Sequence, residues 1–210
     1  MQRLFIVFLF VIVSLPSFAE QLKDISEGIE YEVLDNPQAV TVKNGKVEVI
    51  EFFSYACPHC YNLEPYVEQW RKNKAADVEF IHIPAVFNKS WESLAGIYYA
   101  AEALGIVDKI HPIIFEAIHG NGKKINNFAQ LKDVFVANGI KAEDFESTLN
   151  SFSVANKTRR AIQLTKQYQV QSVPVVIVQG KYRTNSTLAH GHANVFKVVD
   201  HIADKVRKQK

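Results

Sequence analysis

Val47-Glu48-Val49-Ile50-Glu51-Phe52-Phe53-Ser54-Tyr55-Ala56-Cys57-Pro58-His59-Cys60 is the stretch on which the fold of this chain turns. Its first half is β-branched and aromatic. It is apolar on both alternating faces except for its two glutamates, which is the pattern of a strand buried inside a sheet. Leu63, Tyr66, Val67 and Trp70 then recur near helical spacing, so a helix is expected from His59 to about Arg71, with a kink at Pro65. Val78 to Ile83 reads as a second strand. Strand, helix and strand this close together form a βαβ unit with parallel pairing. Cys57 and Cys60, the only two cysteines of the chain, fall at the junction of the first strand and the helix.

From Trp91 to about Tyr168 the periodicity becomes helical. Leu94, Tyr98, Ala101 and Leu104 form one stripe, and Val107, Ile110, Ile114 and Ile118 another, with Pro112 expected to open a fresh helix. Phe128, Leu131 and Phe135 make a third, behind Asn127-Phe128-Ala129-Gln130, which resembles a capping box. Phe145, Leu149 and Phe152 suggest a short fourth helix, and Val154 to Tyr168 a longer fifth. Strand character returns at Val173–Val178. Gln179-Gly180 then turns the chain into Lys181–Thr184, and Phe196 to Val206 closes it as a helix. The order is β-α-β, a block of helices, then β-β-α, so a helical domain is expected inside a small α/β domain. The boundaries are 20–86 and 154–210 for the α/β part and 87–153 for the insertion.

The 210 residues carry a net charge of +2, and 48% are hydrophobic, which excludes a disordered or low-complexity chain. No dense basic block points to nucleic acid. Met1–Ala19 reads as a signal peptide: Arg3, an apolar run from Leu4 to Val13, Pro16, and small residues at Ser17 and Ala19. The run is too short for the roughly 20 residues of a membrane span. The chain is therefore expected to be exported and to start near Glu20, in a compartment where disulfides persist.

Three chemistries suit Cys57-Pro58-His59-Cys60. A structural disulfide would close a ring of four residues, which the chain-entropy treatment values at only about 2 kcal/mol. A structural zinc site needs further thiolates or histidines at recognisable spacing, and His190 and His192, flanking a glycine, do not supply it. A redox pair needs only what is present. At a helix start, Cys57 faces free backbone N–H groups and the positive end of the helix dipole, both favouring thiolate, and His59 adds to this. A stabilised thiolate makes the disulfide a better electron acceptor. Glu51 is a second candidate, since a carboxylate in a central strand is costly unless paired and burial raises its pKa. His82, His111 and His119 read as packing or surface residues rather than ligands, and no metal site is expected.

Glu51-Phe52-Phe53-Ser54 ahead of Cys57-Pro58-His59-Cys60-Tyr61, the helical block, and the later Val173-Pro174 together resemble the DsbA family of periplasmic thiol:disulfide oxidases, in the thioredoxin superfamily. The resemblance covers essentially the whole mature chain. It implies an α/β thioredoxin-like fold with an inserted α-helical domain. Cys57 would be the exposed nucleophile, Cys60 its buried partner, and His59 the group that stabilises the Cys57 thiolate. Pro174 would be cis, with the Val173 backbone pairing with an extended substrate peptide, and Glu51 would move protons to and from Cys60. The implied substrates are exported proteins with free cysteines, and the implied reoxidant is a DsbB-like quinone reductase of the inner membrane. No bound cofactor is implied, and a periplasmic monomer is expected. Two alternatives remain at this point: a reductase or isomerase on the same fold, and a peptide-binding chaperone whose disulfide is incidental. Against an isomerase stand Val173, where that group tends to carry Thr, and an N-terminal segment, Glu20–Val40, too short for a dimerisation domain.

Overall fold

Every residue of the strand Val47–Phe53 is buried, and the reason is its place in the sheet. A computed structural model describes residues 24–43, 45–120, 122, 125 and 127–209. The proposed signal peptide lies outside these residues. The elements in chain order are β1 (Glu32–Val33), β2 (Val47–Phe53), α1 (Pro58–Asn73), β3 (Val78–Pro84), α2 (Lys89–Ala103), α3 (Val107–His119), α4 (Phe128–Ala137), α5 (Ala142–Leu149), α6 (Phe152–Gln167), β4 (Val175–Val178), β5 (Tyr182–Thr184) and α7 (His192–Lys208). The five strands form one sheet in the order β1-β5-β4-β2-β3. β2 pairs in parallel with β3 and antiparallel with β4, so it has neighbours on both sides and both of its faces are covered. In this register Glu51 lies opposite His82 on β3 and Val176 on β4.

The period-2 alternation of β2 feeds two apolar clusters. Val47 and Val49 pack with Leu63, Val67 and Trp70 of α1 and with Val195, Val199, Ile202 and Val206 of α7. Ile50 and Phe52 pack on the other side with residues of α2 and α6, among them Ile97, Ala161 and Tyr168. Full burial of one such large side chain stabilises the fold by about 1.5–3 kcal/mol. The indole of Trp70 stacks on Phe196 at 4.8 Å and donates to Asp200 Oδ1 at 2.8 Å, which docks α7 onto α1. The hairpin between β4 and β5 turns at Gln179 and Gly180, whose φ values are 53° and 62°. A side chain at Gly180 would also collide with the Gln38 carbonyl, so glycine is required on both counts.

The structure departs from the sequence reading at several boundaries. α3 runs unbroken from Val107 to His119 with Pro112 inside it, so Pro112 does not begin a helix. The proline removes the N–H that would donate to the Asp108 carbonyl, but both residues are exposed and water can donate to that carbonyl instead. Phe152 does not continue the fourth helix. α5 ends at Leu149, and Ser151, accepting from the Val154 N–H at 3.2 Å, caps a new helix that begins with Phe152. Pro174 precedes rather than belongs to its strand, which starts at Val175. β1, two residues paired with β5, carries no periodicity that a sequence could show. Asn127 accepts from the Gln130 N–H at 3.0 Å, as the capping pattern implied.

Candidate active site

Cys57 is the N-cap of α1. Its backbone is extended (φ −96°, ψ 114°), Pro58 follows at the first helical position, and no side chain caps the helix. The first-turn donors are therefore available to the cysteine sulfur. The Cys60 and Tyr61 N–H groups donate to the Cys57 carbonyl at 3.1 and 3.2 Å, and the Cys57 N–H to the Ser54 carbonyl at 3.0 Å, which fixes the turn from strand to helix. The Val173–Pro174 peptide bond is cis. It presents the Val173 carbonyl to the site, and Cys57 Sγ donates to that oxygen at 3.3 Å. Residues 116 positions apart thus meet at one sulfur.

Both cysteines carry free thiols; Cys57, expected to be exposed, is in fact buried at 8% exposure because the Val173–Pro174 segment covers it, and the two thiols shift in opposite directions. The Cys57 thiol is lowered to about 6, chiefly by a hydrogen bond from the Cys60 side chain. Burial opposes the shift, while the backbone N–H groups of Cys60 and His59, and then the His59 charge, add to it. Cys60 is 1% exposed, and burial pushes its thiol well above the usual range, with the proximity of Cys57 and Glu51 acting the same way. His59 is exposed, and its electrostatic part at Cys57 ranks below those of the backbone.

Glu51 is 1% exposed, and burial, then the nearby Glu64 charge, raises its pKa. Around it lies a group of side chains that the sequence reading did not single out as functional. Glu64 on α1 and His111 on α3 approach to 3.5 Å, Glu51 and His82 to 3.1 Å, and the Tyr55 hydroxyl and His111 Nδ1 share a 2.8 Å hydrogen bond. Burial holds His82 down to about 4 and lowers His111 too, so both imidazoles are neutral near pH 7. Burial works to raise Glu64, but His111, His82 and Arg71 together pull it below the usual carboxylate value. Glu64 lies one helical turn beyond Cys60, the i,i+4 spacing that places both on one face, and this was the only signal in the sequence for it. The partners on β3 and α3 are brought in by tertiary packing. Among the described residues, Glu64, His82 and His111 are also a group able to hold a metal ion, with ligand atoms within 4.8 Å of one another. Above the cluster, His119 Nε2 lies 2.8 Å from the Tyr55 carbonyl and its ring stacks on Tyr61, so α3 braces the loop that carries Cys57.

The arrangement combines an activated thiol at a helix N-terminus, a buried thiol behind it and a backbone carbonyl beside a cis-proline. Comparison with known proteins agrees with it. The family described as DSBA-like thioredoxin domain matches residues 48–203. The thiol:disulfide interchange protein DsbA of Pseudomonas aeruginosa is 35% identical over 207 residues, covering 99% of this chain and 98% of that protein. The protein of the same name from Burkholderia cepacia is 36% identical over 185 residues, covering 88% and 87%. The crystal structure of Pseudomonas aeruginosa DsbA superposes with a TM-score of 0.81 at 36% identity, over 90% of this chain and 97% of that one. Neisseria meningitidis NmDsbA1 superposes at 0.74 and 30% identity, over 88% and 95%. The chain belongs to the DSBA-like thioredoxin family of thiol:disulfide oxidoreductases.

Proposed function

We propose that the chain works as a dithiol oxidase that donates a Cys57–Cys60 disulfide to exported proteins in the periplasm. The observation that carries this reading is the opposite titration of two thiols in one helical turn. In the oxidised form a substrate thiolate attacks Cys57 Sγ, the Cys57–Cys60 bond breaks, and the electron pair leaves on Cys60. Cys60 does not remain charged in its buried place and takes up a proton, with Glu51 as the adjacent carboxyl that exchanges it. A second substrate thiolate then attacks the substrate sulfur of the mixed disulfide. Cys57 leaves as a thiolate, two electrons have passed from substrate to protein, and the substrate is oxidised. The helix N-terminus, with His59 at its rim, makes Cys57 the better leaving group in this step.

The Val173 backbone beside cis-Pro174 is the proposed edge on which an extended substrate peptide pairs, since it already lies within hydrogen-bond reach of the reacting sulfur. Reoxidation of the dithiol is assigned to a membrane quinone reductase of the DsbB kind. The α/β domain is assigned to residues 20–86 and 154–210, with the helical insertion at 87–153.

Equilibration of the Cys57–Cys60 couple with glutathione buffers, together with oxidative refolding of a reduced client, tests the reading. The couple should be oxidising enough to be reduced by glutathione, and Cys57→Ser should abolish client oxidation. A potential below about −300 mV, the range of structural disulfides, would overturn it. Full activity of Cys57→Ser would instead favour a chaperone whose thiols are incidental.

A further inference from the structure

Four buried polar side chains converge beneath Cys60 from four different elements. Glu51 comes from β2, Glu64 from α1, His82 from β3 and His111 from α3. Each is at least nine-tenths buried. Glu51 Oε2 and His82 Nε2 are 3.1 Å apart, and Glu64 Oε2 and His111 Nε2 are 3.5 Å apart. Yet Glu51 Oε2, Glu64 Oε1, His82 Nε2 and His111 Nε2 all lack a hydrogen-bond partner. A nitrogen and an oxygen 3.1 Å apart that do not hydrogen-bond are not aimed at each other. Each is left with a buried lone pair or N–H that its neighbour does not satisfy. For bonds of 2.0–2.1 Å, a tetrahedral shell has edges of about 3.3 Å, close to the 3.5 Å between Glu64 Oε2 and His111 Nε2, and one ligand atom each from Glu64, His82 and His111 lies within 4.8 Å of the others.

The surroundings suit a cation. His111 Nδ1 is held by the Tyr55 hydroxyl at 2.8 Å, the outer-shell bond that orients a ligating imidazole. Glu64 offers the ion one carboxylate and His82 and His111 offer imidazoles, and Glu51, 3.1 Å from His82, is a second carboxyl group at hand. Arg71, itself paired with Glu68 and Asp108, is the nearby fixed cation. Access exists: Glu64 lines an open groove of about 730 Å³ between α1 and α3, flanked by Glu68 and Glu116. We propose that Glu64, His82 and His111 form a binding site for a divalent first-row transition cation of the zinc type, entered through this groove, with Glu51 beside His82 outside the ligand set. A nitrogen-and-oxygen donor set without sulfur is the chemistry that selects such ions. The filled site ties α1 and β3 of the α/β part to α3 of the helical block. It uses neither cysteine and would stand if the proposed disulfide exchange failed.

The test uses the oxidised full-length mature chain, in which no thiol can bind metal, and zinc chloride as the probe. Calorimetric titration should give one zinc per chain. The thermal midpoint should rise by about 5–10 °C at a zinc concentration near 100 times the dissociation constant. Glu64→Gln and His111→Gln should each weaken binding at least tenfold, while His190→Gln, at an exposed histidine beside Glu30, should leave it unchanged. Absence of zinc binding by the wild-type chain would overturn the proposal, as would unchanged affinity in folded Glu64→Gln and His111→Gln. Should these variants not fold, X-ray absorption of the zinc-loaded wild-type chain decides: two imidazoles with carboxylate oxygens support the site, and sulfur or water alone overturns it.

Discussion

Cys57 and Cys60 stand at opposite ends of one helical turn, and the two ends differ in how they treat charge. At the Cys57 end, the Cys60 thiol, the first-turn backbone N–H groups and the His59 imidazole all act on a sulfur that is 8% exposed, and the thiolate is the favoured form. At the Cys60 end, the sulfur is enclosed by apolar side chains with Glu51 close by, and the neutral thiol is favoured. The lesson is that spacing alone does not make a C-x-x-C motif reactive. The asymmetry comes from placing one cysteine at the helix cap, where hydrogen bonds reach its sulfur, and the other a turn inside among apolar side chains, so that electrons arriving from a substrate have a stable resting place on only one sulfur.

The sharpest way to break this comparison is to alkylate the reduced protein with iodoacetamide at pH 6. Cys57, with its thiol lowered to about 6, should be half ionised there, and Cys60 should be fully protonated and enclosed. The labelling rates should differ by at least ~100-fold, the ratio expected when reactivity follows thiolate fraction and access. Comparable labelling of the two would remove the asymmetry on which the mechanism rests.

A smaller effect concerns stability. The folded pKa of Cys57 lies below its unfolded value, so the thiolate contributes stability that is complete above the unfolded pKa and is lost as pH falls through about 6. Cys60, raised in the folded state, stays neutral over the same range and contributes little below pH 8. The reduced protein should therefore gain about 2 kcal/mol relative to the oxidised one between pH 6 and 8.5, after allowing for solvent screening at the helix end. The disulfide offsets this with about 2 kcal/mol from closing its four-residue ring, so the two forms should cross in stability at about pH 8. Urea unfolding of both at the two pH values measures it. An oxidised form that gains on the reduced one as pH rises would contradict the assignment.

The smallest effect separates His59 from the backbone. Because its charge ranks behind the hydrogen bonds from Cys60 and the helix start, His59→Ser should make the couple more reducing by only about 20 mV, or ~1 kcal/mol, with exchange retained. A shift several times larger would move the main control from the helix terminus to the imidazole.

The fold was legible where a single element carries a complete pattern. β2, α1 and β3 were readable to within a residue or two because burial on both faces and helical periodicity are local signals. Pro112 misled because a proline's cost depends on whether the carbonyl it abandons is wet, and exposure is not a local property. Phe152 misled because it matched an apolar stripe but lies 77% exposed at the start of α6, against Arg159. The two glutamates of β2 were equally conspicuous in the sequence, yet they have different surroundings. Glu48 accepts at one oxygen, Oε2, from the Thr41 N–H and hydroxyl at 2.7 and 2.6 Å, whereas Glu51 faces His82.

What the sequence determined by itself was the sulfur pair and its helix. Two cysteines three apart, after a buried strand and around a proline suited to a first helical turn, already place one sulfur at the N-cap and the other inside. The tertiary structure decided which groups meet those sulfurs. Val173 reaches Cys57 from 116 residues away, and Glu51, Glu64, His82 and His111 gather from two strands and two helices. Local periodicity reports which face of an element is covered. It carries no information on which other element covers it, because that depends on sheet register and helix packing, and these are settled only when the whole core closes.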